Sequence, residues 1–379
     1  MSEKIEERIR ELEDRLANTK VNKATQKSIN FIKAQLAKLK NDLVRIASSK
    51  KGGGGGFGVK KSGDAQVAFM GFPSVGKSSL LNLLTEGSTD SKVAAYDFTT
   101  LTAIPGMMEI EKAHIQLIDL PGIILGAARG RGRGKEILSV VRTADLILII
   151  ICFQSDGTIN FDDLTTIRKE IYDAGIRLNK KPPRIQIKER NKGGIHFTYK
   201  GKQMMDLEEV KAILNELKIL NAGVYFAEPM ITADDLIDHV MGNRVYTKEL
   251  VVINKSDLMN TPISEESITK KIGHAHWVMI SAKNNANIDT LKRQIFKELE
   301  LMRIYLKPPR QDAQMEEPII LQKGATIRNL CENIHKHFVK DYRYALVWGK
   351  SAKHPGQKFN KLDHVLKDED IVSIYLKHY

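Results

Sequence analysis

The sequence predicts an α/β fold built on a mostly parallel sheet, and two observations predict it. Short, continuously apolar runs recur, VAFMG at 67–71, LILIII at 146–151 and ELVVIN at 249–254. Segments of helical periodicity separate them, and strands covered by crossover helices on both sides read in this way.

The elements follow in order. Ile5, Ile9, Leu12 and Leu16 form one helical stripe, and Ile32, Leu36, Leu39, Leu43 and Ile46 form a second after a break at Thr19 to Thr25. Two amphipathic helices with a short connection predict an αα-hairpin over 1–61, bounded by the flexible KGGGGGF. An α/β domain is expected over 64–302, with strands at VAFMG, IQLIDL (115–120), LILIII, ELVVINK and HWVMISA (276–282), and helices at 77–85 and 137–144. About 100 residues separate the strand ending at Ile151 from the one starting at Leu250, where a parallel crossover needs a dozen or more. An inserted small α+β domain is therefore expected at about 160–235. Its strands are read as an antiparallel piece turning at Gly193-Gly194, followed by a helix from Leu207 to Leu220. A proline-bearing stretch, KPPRQDAQMEEP, leads into a separate C-terminal α+β module over 303–379.

Composition narrows the function classes. Of 379 residues 42% are hydrophobic and 28% charged, a globular balance. Two cysteines, Cys152 and Cys331, build no disulfide framework and point to a reducing compartment. The longest apolar run, Leu146 to Phe153, is far short of a spanning helix, and the charged N-terminus MSEKIEERIRELED lacks a signal-peptide core. Secreted and membrane-spanning proteins are set aside, and a cytoplasmic protein is expected. The net charge of +13 is concentrated. Residues 15–61 carry twelve Lys/Arg against Asp42, and 177–202 carry nine against Glu189. Both segments read as polyanion-binding surfaces, with a solvated lysine-rich face as the plainer alternative.

Four short motifs carry chemistry. Gly71-Phe72-Pro73-Ser74-Val75-Gly76-Lys77-Ser78 fits G-x-x-x-x-G-K-[ST] between a predicted strand and a predicted helix, with Ser79 following. Backbone N–H groups of such a loop hold the α and β phosphates, Lys77 reaches the β and γ phosphates, and Ser78 ligates Mg²⁺. Asp119, ahead of Pro121-Gly122, ends a strand where a carboxylate joins the Mg²⁺ shell, and the Gly122 N–H can approach the γ-phosphate. Asn254-Lys255-Ser256-Asp257 follows a buried strand. The Asp257 carboxylate can accept from the guanine N1–H and N2–H₂ edge, which adenine lacks. Ser281-Ala282-Lys283 offers a backbone N–H for guanine O6. In this order the motifs predict a GTPase rather than an ATPase. Between the first two, Phe98-Thr99-Thr100 supplies the threonine such an enzyme needs for Mg²⁺ and γ-phosphate, assigned to Thr100 with Thr99 as the neighbour at risk. The position after the DLPG turn is Ile123, where fast GTPases place a water-orienting Gln, so a slow intrinsic rate is expected. Arg129, Arg131, Arg133 and Lys135 alternate with glycine downstream, a flexible cationic segment suited to ordering on GTP or on a phosphate backbone.

On GFPSVGKSSLLN, AAYDFTTLTAIPG, IQLIDLPGIILGAARGRGRG, GIRLNKKPP, NKSD and the C-terminal module, nearly the whole chain resembles the DRG (developmentally regulated GTP-binding protein) family in the Obg branch of translation-factor-like GTPases. The resemblance implies a basic helical N-terminal domain, a P-loop GTPase domain, an insert akin to a domain of a ribosomal small-subunit protein, and a C-terminal TGS domain of β-grasp fold. It also implies a link to ribosomes or rRNA and, in eukaryotic members, dedicated partner proteins. Many proteins of the wider branch bind a catalytic K⁺ with an Asn at the fourth loop position. Here that position is Ser74, so a K⁺ requirement stays open. The resulting expectation is a Mg²⁺-dependent GTPase whose nucleotide state controls ribosome or RNA association in translation, with no membrane partner. Two alternatives are an RNA-binding assembly protein that holds nucleotide as a structural ligand, and a GTP-regulated scaffold for a partner protein.

Overall fold

The structure, a computed structural model, describes residues 2–22, 25–49, 61–85, 104–120 and 140–377. Its elements begin with α1 (Ser2–Asn18), α2 (Gln26–Ser49), β1 (Ala65–Met70), α3 (Lys77–Thr85), β2 (Ile104–Ile110), β3 (Ala113–Asp119), β4 (Leu146–Cys152) and α4 (Phe161–Asp173). Next come β5 (Ile176–Leu178), β6 (Ile185–Glu189), β7 (Ile195–Tyr199), α5 (Leu207–Glu216), β8 (Ala222–Phe226) and α6 (Ala233–Met241). The remainder is β9 (Val245–Asn254), α7 (Glu265–Ile272), β10 (His276–Met279), α8 (Ile288–Glu298), β11 (Leu301–Leu306), β12 (Ile319–Gln322), α9 (Ile327–Ile334), α10 (Lys336–Lys340), β13 (Tyr342–Trp348), β14 (Gln357–Phe359) and β15 (Asp370–Leu376). No helix among the described residues is long and apolar enough to cross a membrane.

These elements fall into two compact units. In the larger, strands run in the order β10-β9-β4-β1-β3-β2. All neighbours are parallel except the edge pair β2–β3. Every residue of β1 is buried, because both faces of the strand are covered. On one face Val67, Phe69, Leu117, Leu148 and Ile150 pack with Leu80 and Leu84 of α3 and with Leu291 and Ile295 of α8. α4 is fastened to β9 by Arg168, which holds the Glu249 carboxylate at 3.0 Å and the Ile272 carbonyl at 2.8 Å. Because β1, β3, β4, β9 and β10 all run in one direction, the loops that leave their C-terminal ends gather along one edge. Ligands in open α/β sheets bind at that edge.

The same unit carries the C-terminal module, a five-stranded sheet of order β12-β11-β15-β13-β14 over a core of Met302, Ile304, Leu330, Val347 and Val372. Its first strand, β11, precedes the proline-bearing stretch that reads as a linker, and starts at Leu301, ahead of the expected boundary. The turn from α8 into β11 passes through Glu300 at φ 49°, a left-handed residue with no glycine to announce it. Arg303 pairs with Asp368 at 2.8 Å and with Glu111 of the β2–β3 turn at 2.7 Å, and these carboxylates push its pKa upward.

The smaller unit joins the N-terminal hairpin to residues 171–246, a span shifted from the 160–235 expected from spacing. α1 and α2 meet through Ile9, Leu12, Ile32 and Leu36, the stripes read from the sequence. A three-stranded sheet of order β6-β8-β7 packs one face on α5 and α6. The antiparallel piece expected at Gly193-Gly194 is not a hairpin. β8 lies between the two strands, antiparallel to β6 and parallel to β7. Its apolar positions Ala222, Val224 and Phe226 are fully buried, which favours the centre of the sheet for this strand.

α2 lies on α5 and α6, with Ala34 entirely buried in their core. Its lysines meet carboxylates there: Lys33 with Asp234 at 2.9 Å, Lys38 with Glu216 at 3.5 Å, and Lys40 with Asp173 at 2.9 Å. Part of the positive charge expected to face a polyanion is therefore neutralised within the chain. In the second basic segment Arg177 is buried, donating from Nε and Nη2 to Asp238 at 2.5 and 2.8 Å. Its guanidinium stacks 3.7 Å from the centre of the Tyr172 ring, and Arg244 donates to the same carboxylate at 2.7 Å. Burial pushes the Tyr172 hydroxyl up to about 12, so it stays neutral beside this network. Asp238→Ala leaves the buried Arg177 guanidinium without its counter-charge, and is expected to lower unfolding free energy by about 3–5 kcal/mol in urea titration. An unchanged midpoint would show that the network contributes nothing.

Candidate functional site

The chain leaves β1 at Met70 and turns through Gly71–Gly76 into α3. A Cβ on Gly71 would lie 2.7 Å from the Ile150 carbonyl oxygen, so only glycine lets the loop start this close to β4. Val75 is buried and pins the loop to the core, while Pro73 and Ser74 are exposed at its tip. Phe72 packs partly against the core, and Ser79 is exposed on the first turn of α3. Gly76 sits at φ +93°, where a Cβ would run into the Asn254 carboxamide. The Lys77 ammonium reaches back across the loop, donating to the Gly71 and Phe72 carbonyls at 3.1 Å each. Burial lowers its pKa, and the nearby Asp119 carboxylate opposes that shift. A cation folded over main-chain oxygens at a helix N-terminus is placed to exchange those partners for phosphate.

Ser78 donates from Oγ to Asp119 Oδ2 at 2.7 Å. Asp119 is 7% exposed, and its Oδ1 is buried without a hydrogen-bond partner among the described residues. An unsatisfied buried carboxylate oxygen is costly. Its position beside a serine hydroxyl matches the oxygen-donor set that Mg²⁺ takes. Ser78 and Asp119 therefore fit the ion.

The motifs expected to read the base meet at the ends of β9 and β10. Asn254, 2% exposed, donates from its amide nitrogen to the Val75 carbonyl at 2.8 Å. Its amide oxygen accepts from the N–H groups of Lys255 at 2.7 Å and Ala282 at 3.0 Å. Lys255 adopts the left-handed conformation at φ 61°, turning the chain into the 3₁₀ turn Ser256–Leu258. Asp257 is held by a hydrogen bond from the Ser281 hydroxyl, which keeps its pKa below the ordinary carboxylate range, with Lys283 and Lys255 adding to the shift. The Ser281 oxygen in turn accepts from the Asn284 N–H at 3.2 Å. Asp257 thus stays ionised and aimed, and Lys283 is exposed beside it.

The Gly71–Ser79 loop, Asp119, Asn254–Asp257 and Ser281–Lys283 therefore lie on one edge of the parallel sheet. Phe98, Thr99, Thr100, Gly122, Ile123 and the Arg129–Lys135 segment lie outside the described residues. Sequence reading assigned Asn254 to nucleotide contact and missed its function as a brace between the phosphate loop and the 281–283 loop. Asn284 was missed altogether. The left-handed glycine at position 76, facing a buried amide, is a feature that only the fold displays.

Comparison with known proteins places this geometry. Residues 66–189 match a family model described as a 50S ribosome-binding GTPase, residues 192–301 the C-terminal region of that domain, and residues 302–376 the TGS domain. An uncharacterised GTP-binding protein of Methanocaldococcus jannaschii is 48% identical over 98% of this chain and 93% of that protein. Developmentally-regulated GTP-binding protein 1 of Xenopus laevis is 46% identical over 98% of both chains. Among solved structures, the YchF GTPase of Schizosaccharomyces pombe covers 83% of this chain and 99% of its own at 13% identity and a TM-score of 0.47, too distant to add to the assignment. Identity of this order along nearly the full length decides the matter: the chain belongs to the developmentally regulated GTP-binding proteins, GTP-hydrolysing enzymes with a P-loop GTPase domain and a C-terminal TGS domain.

Proposed function

We propose that this GTPase binds GTP through the Gly71–Ser79 loop and selects guanine through Asp257, and that its nucleotide state governs docking on the ribosome or its RNA. The observation that carries the reading is the convergence of Lys77, Ser78, Asp119 and Asp257 on one sheet edge, locked in register by Asn254. Lys77 gives up the Gly71 and Phe72 carbonyls for the β and γ phosphates. Ser78 and Asp119, with Thr100, are the residues that would hold Mg²⁺, whose contribution is to offset negative charge on the phosphate oxygens. Asp257 accepts from the guanine edge, and the Ala282 N–H is the expected donor to O6. Gly122 is assigned to the γ-phosphate, with Thr100 as its sensor. With Ile123 unable to orient water, intrinsic hydrolysis is slow.

The ribosomal part of the proposal draws on the description of the matched GTPase model, on the TGS module and on a net charge of +13. Ribosome docking places the protein in the cytoplasm. Sedimentation with ribosomes is expected to differ between GDP and a non-hydrolysable GTP analogue, and equal pelleting with both would refute nucleotide control.

Two substitutions test the site itself. Gly76→Ala forces a side chain into a left-handed position against Asn254, costing about 1–2 kcal/mol in backbone terms alone. Calorimetry should show GDP and GTP affinity falling roughly tenfold or more with the circular dichroism spectrum intact, and unchanged affinity would remove the loop from binding. Asp257→Asn deletes a charge-assisted pair of hydrogen bonds, so GTP affinity should drop by about 10- to 150-fold while xanthine nucleotide gains. Retained guanine preference in a competition titration would reassign base selection.

A further inference from the structure

The small sheet β6-β8-β7 buries one face and leaves the other open. Towards α5 and α6 it sends Ile185, Val224, Phe226 and Ile195. The register fixes what stands on the opposite face. Tyr225 lies between Gln186 and Thr198, and Gly223 between Lys188 and His196. Gln186, Lys188, Tyr225, His196 and Thr198 are all exposed, Tyr225 at 38%. Just past β6, Arg190 lays its guanidinium over the middle of this face. A Cβ on Gly223 would lie 3.2 Å from Arg190 Nη2 and 3.6 Å from Cζ, so the glycine is what lets the planar cation lie there.

Part of the unit's positive charge is already met within the chain. Lys33, Lys38 and Lys40 of α2 meet carboxylates, as do Arg177 and Arg184. Among the described residues, Lys188 and Arg190 take part in no ion pair. Strand alternation turns Glu189 away from them, so no acidic residue of β6, β7 or β8 shares their face.

We propose that this open face binds single-stranded RNA, with Lys188 and Arg190 on backbone phosphates and the Tyr225 ring as a stacking surface for a base. The inference gives a location to the RNA contact proposed above and is separable from it. The position under the Arg190 guanidinium and Tyr225 are two residues apart on β8, roughly 6.6 Å, the reach of one nucleotide step in an extended strand. Cations tracking a backbone beside a flat ring are the parts from which sequence-tolerant single-strand platforms are made. Gln186 and Thr198 flank the ring with hydrogen-bonding groups and add no charge. An acidic protein segment would use the two cations but leave the exposed ring without a flat partner.

The test uses the full chain and a fluorescently labelled unstructured RNA of about 12 nucleotides, followed by anisotropy over a range of salt. Lys188→Glu combined with Arg190→Glu should weaken binding at least tenfold and lower the salt slope by about 1.4, two single-strand phosphate contacts. Tyr225→Ala should weaken it about fivefold to 100-fold with the slope unchanged. GDP affinity and the circular dichroism spectrum with its thermal transition, read in the same preparations, should stay at the parent values and show that both units of each variant are folded. RNA affinity equal to the parent in both variants overturns the inference. So does loss of binding to a duplex RNA alone, or loss of ribosome pelleting with single-strand binding intact, which assigns the face to a protein. Ribosome pelleting that ignores the nucleotide, with RNA binding lost in the variants, sinks nucleotide control and leaves this face standing.

Discussion

The nucleotide edge depends on one buried carboxamide. Asn254 has no room to reorient at 2% exposure, and its two ends bind groups from three separate loops. Its nitrogen fixes the carbonyl of Val75 in the phosphate loop, and its oxygen fixes the amides of Lys255 and Ala282. Any movement that breaks one of these bonds leaves a buried polar group unsatisfied, at about 1–3 kcal/mol each. The spacing between the Gly71–Gly76 loop and the 255–257 and 281–283 segments is therefore set by a side chain that needs no ligand to hold its place. A pre-formed site of this kind loses little ordering free energy when a ligand arrives.

Charge is handled differently in the two units. At the nucleotide edge, a lysine and an aspartate are kept buried and imperfectly partnered, Lys77 on carbonyls and Asp119 with a bare oxygen. Such groups are poised for an ionic ligand. In the smaller unit, buried charge is saturated, with Asp238 accepting from two arginines and Tyr172 stacked on one of them. That network is a fastening. The GIRLNKKPP run thus holds a structural arginine in its third place, and that residue serves packing.

What the sequence made legible was contiguous. The phosphate loop, the Asp119 strand end and Asn254–Asp257 each occupy a few adjacent residues, and the alternation of apolar strands with helices announced the parallel sheet that carries them. Long-range choices were not legible. Nothing near Lys33 or Lys38 announces Asp234 or Glu216, some 180 to 200 positions away, so a lysine-rich helix read as a polyanion surface. The Gly193-Gly194 turn suggested a hairpin because local pairing is the default for two short strands. The competing strand, β8, lies beyond a helix, and its greater apolarity wins the central place. β11 was overlooked for a related reason: a left-handed Glu300 makes the turn that glycine or proline usually signals.

That central strand also bears on how the chain is made. During synthesis β6 and β7 are complete before α5 and β8 have emerged, and at about 5–20 residues per second the wait lasts on the order of seconds. Throughout it, two extended segments with free edges stand without their native neighbour, a condition that invites association between nascent copies. Lys188, Arg190 and Lys192 flank that interval and repel a second strand of the same kind. Charge of one sign on these segments thus opposes pairing between nascent copies until β8 arrives.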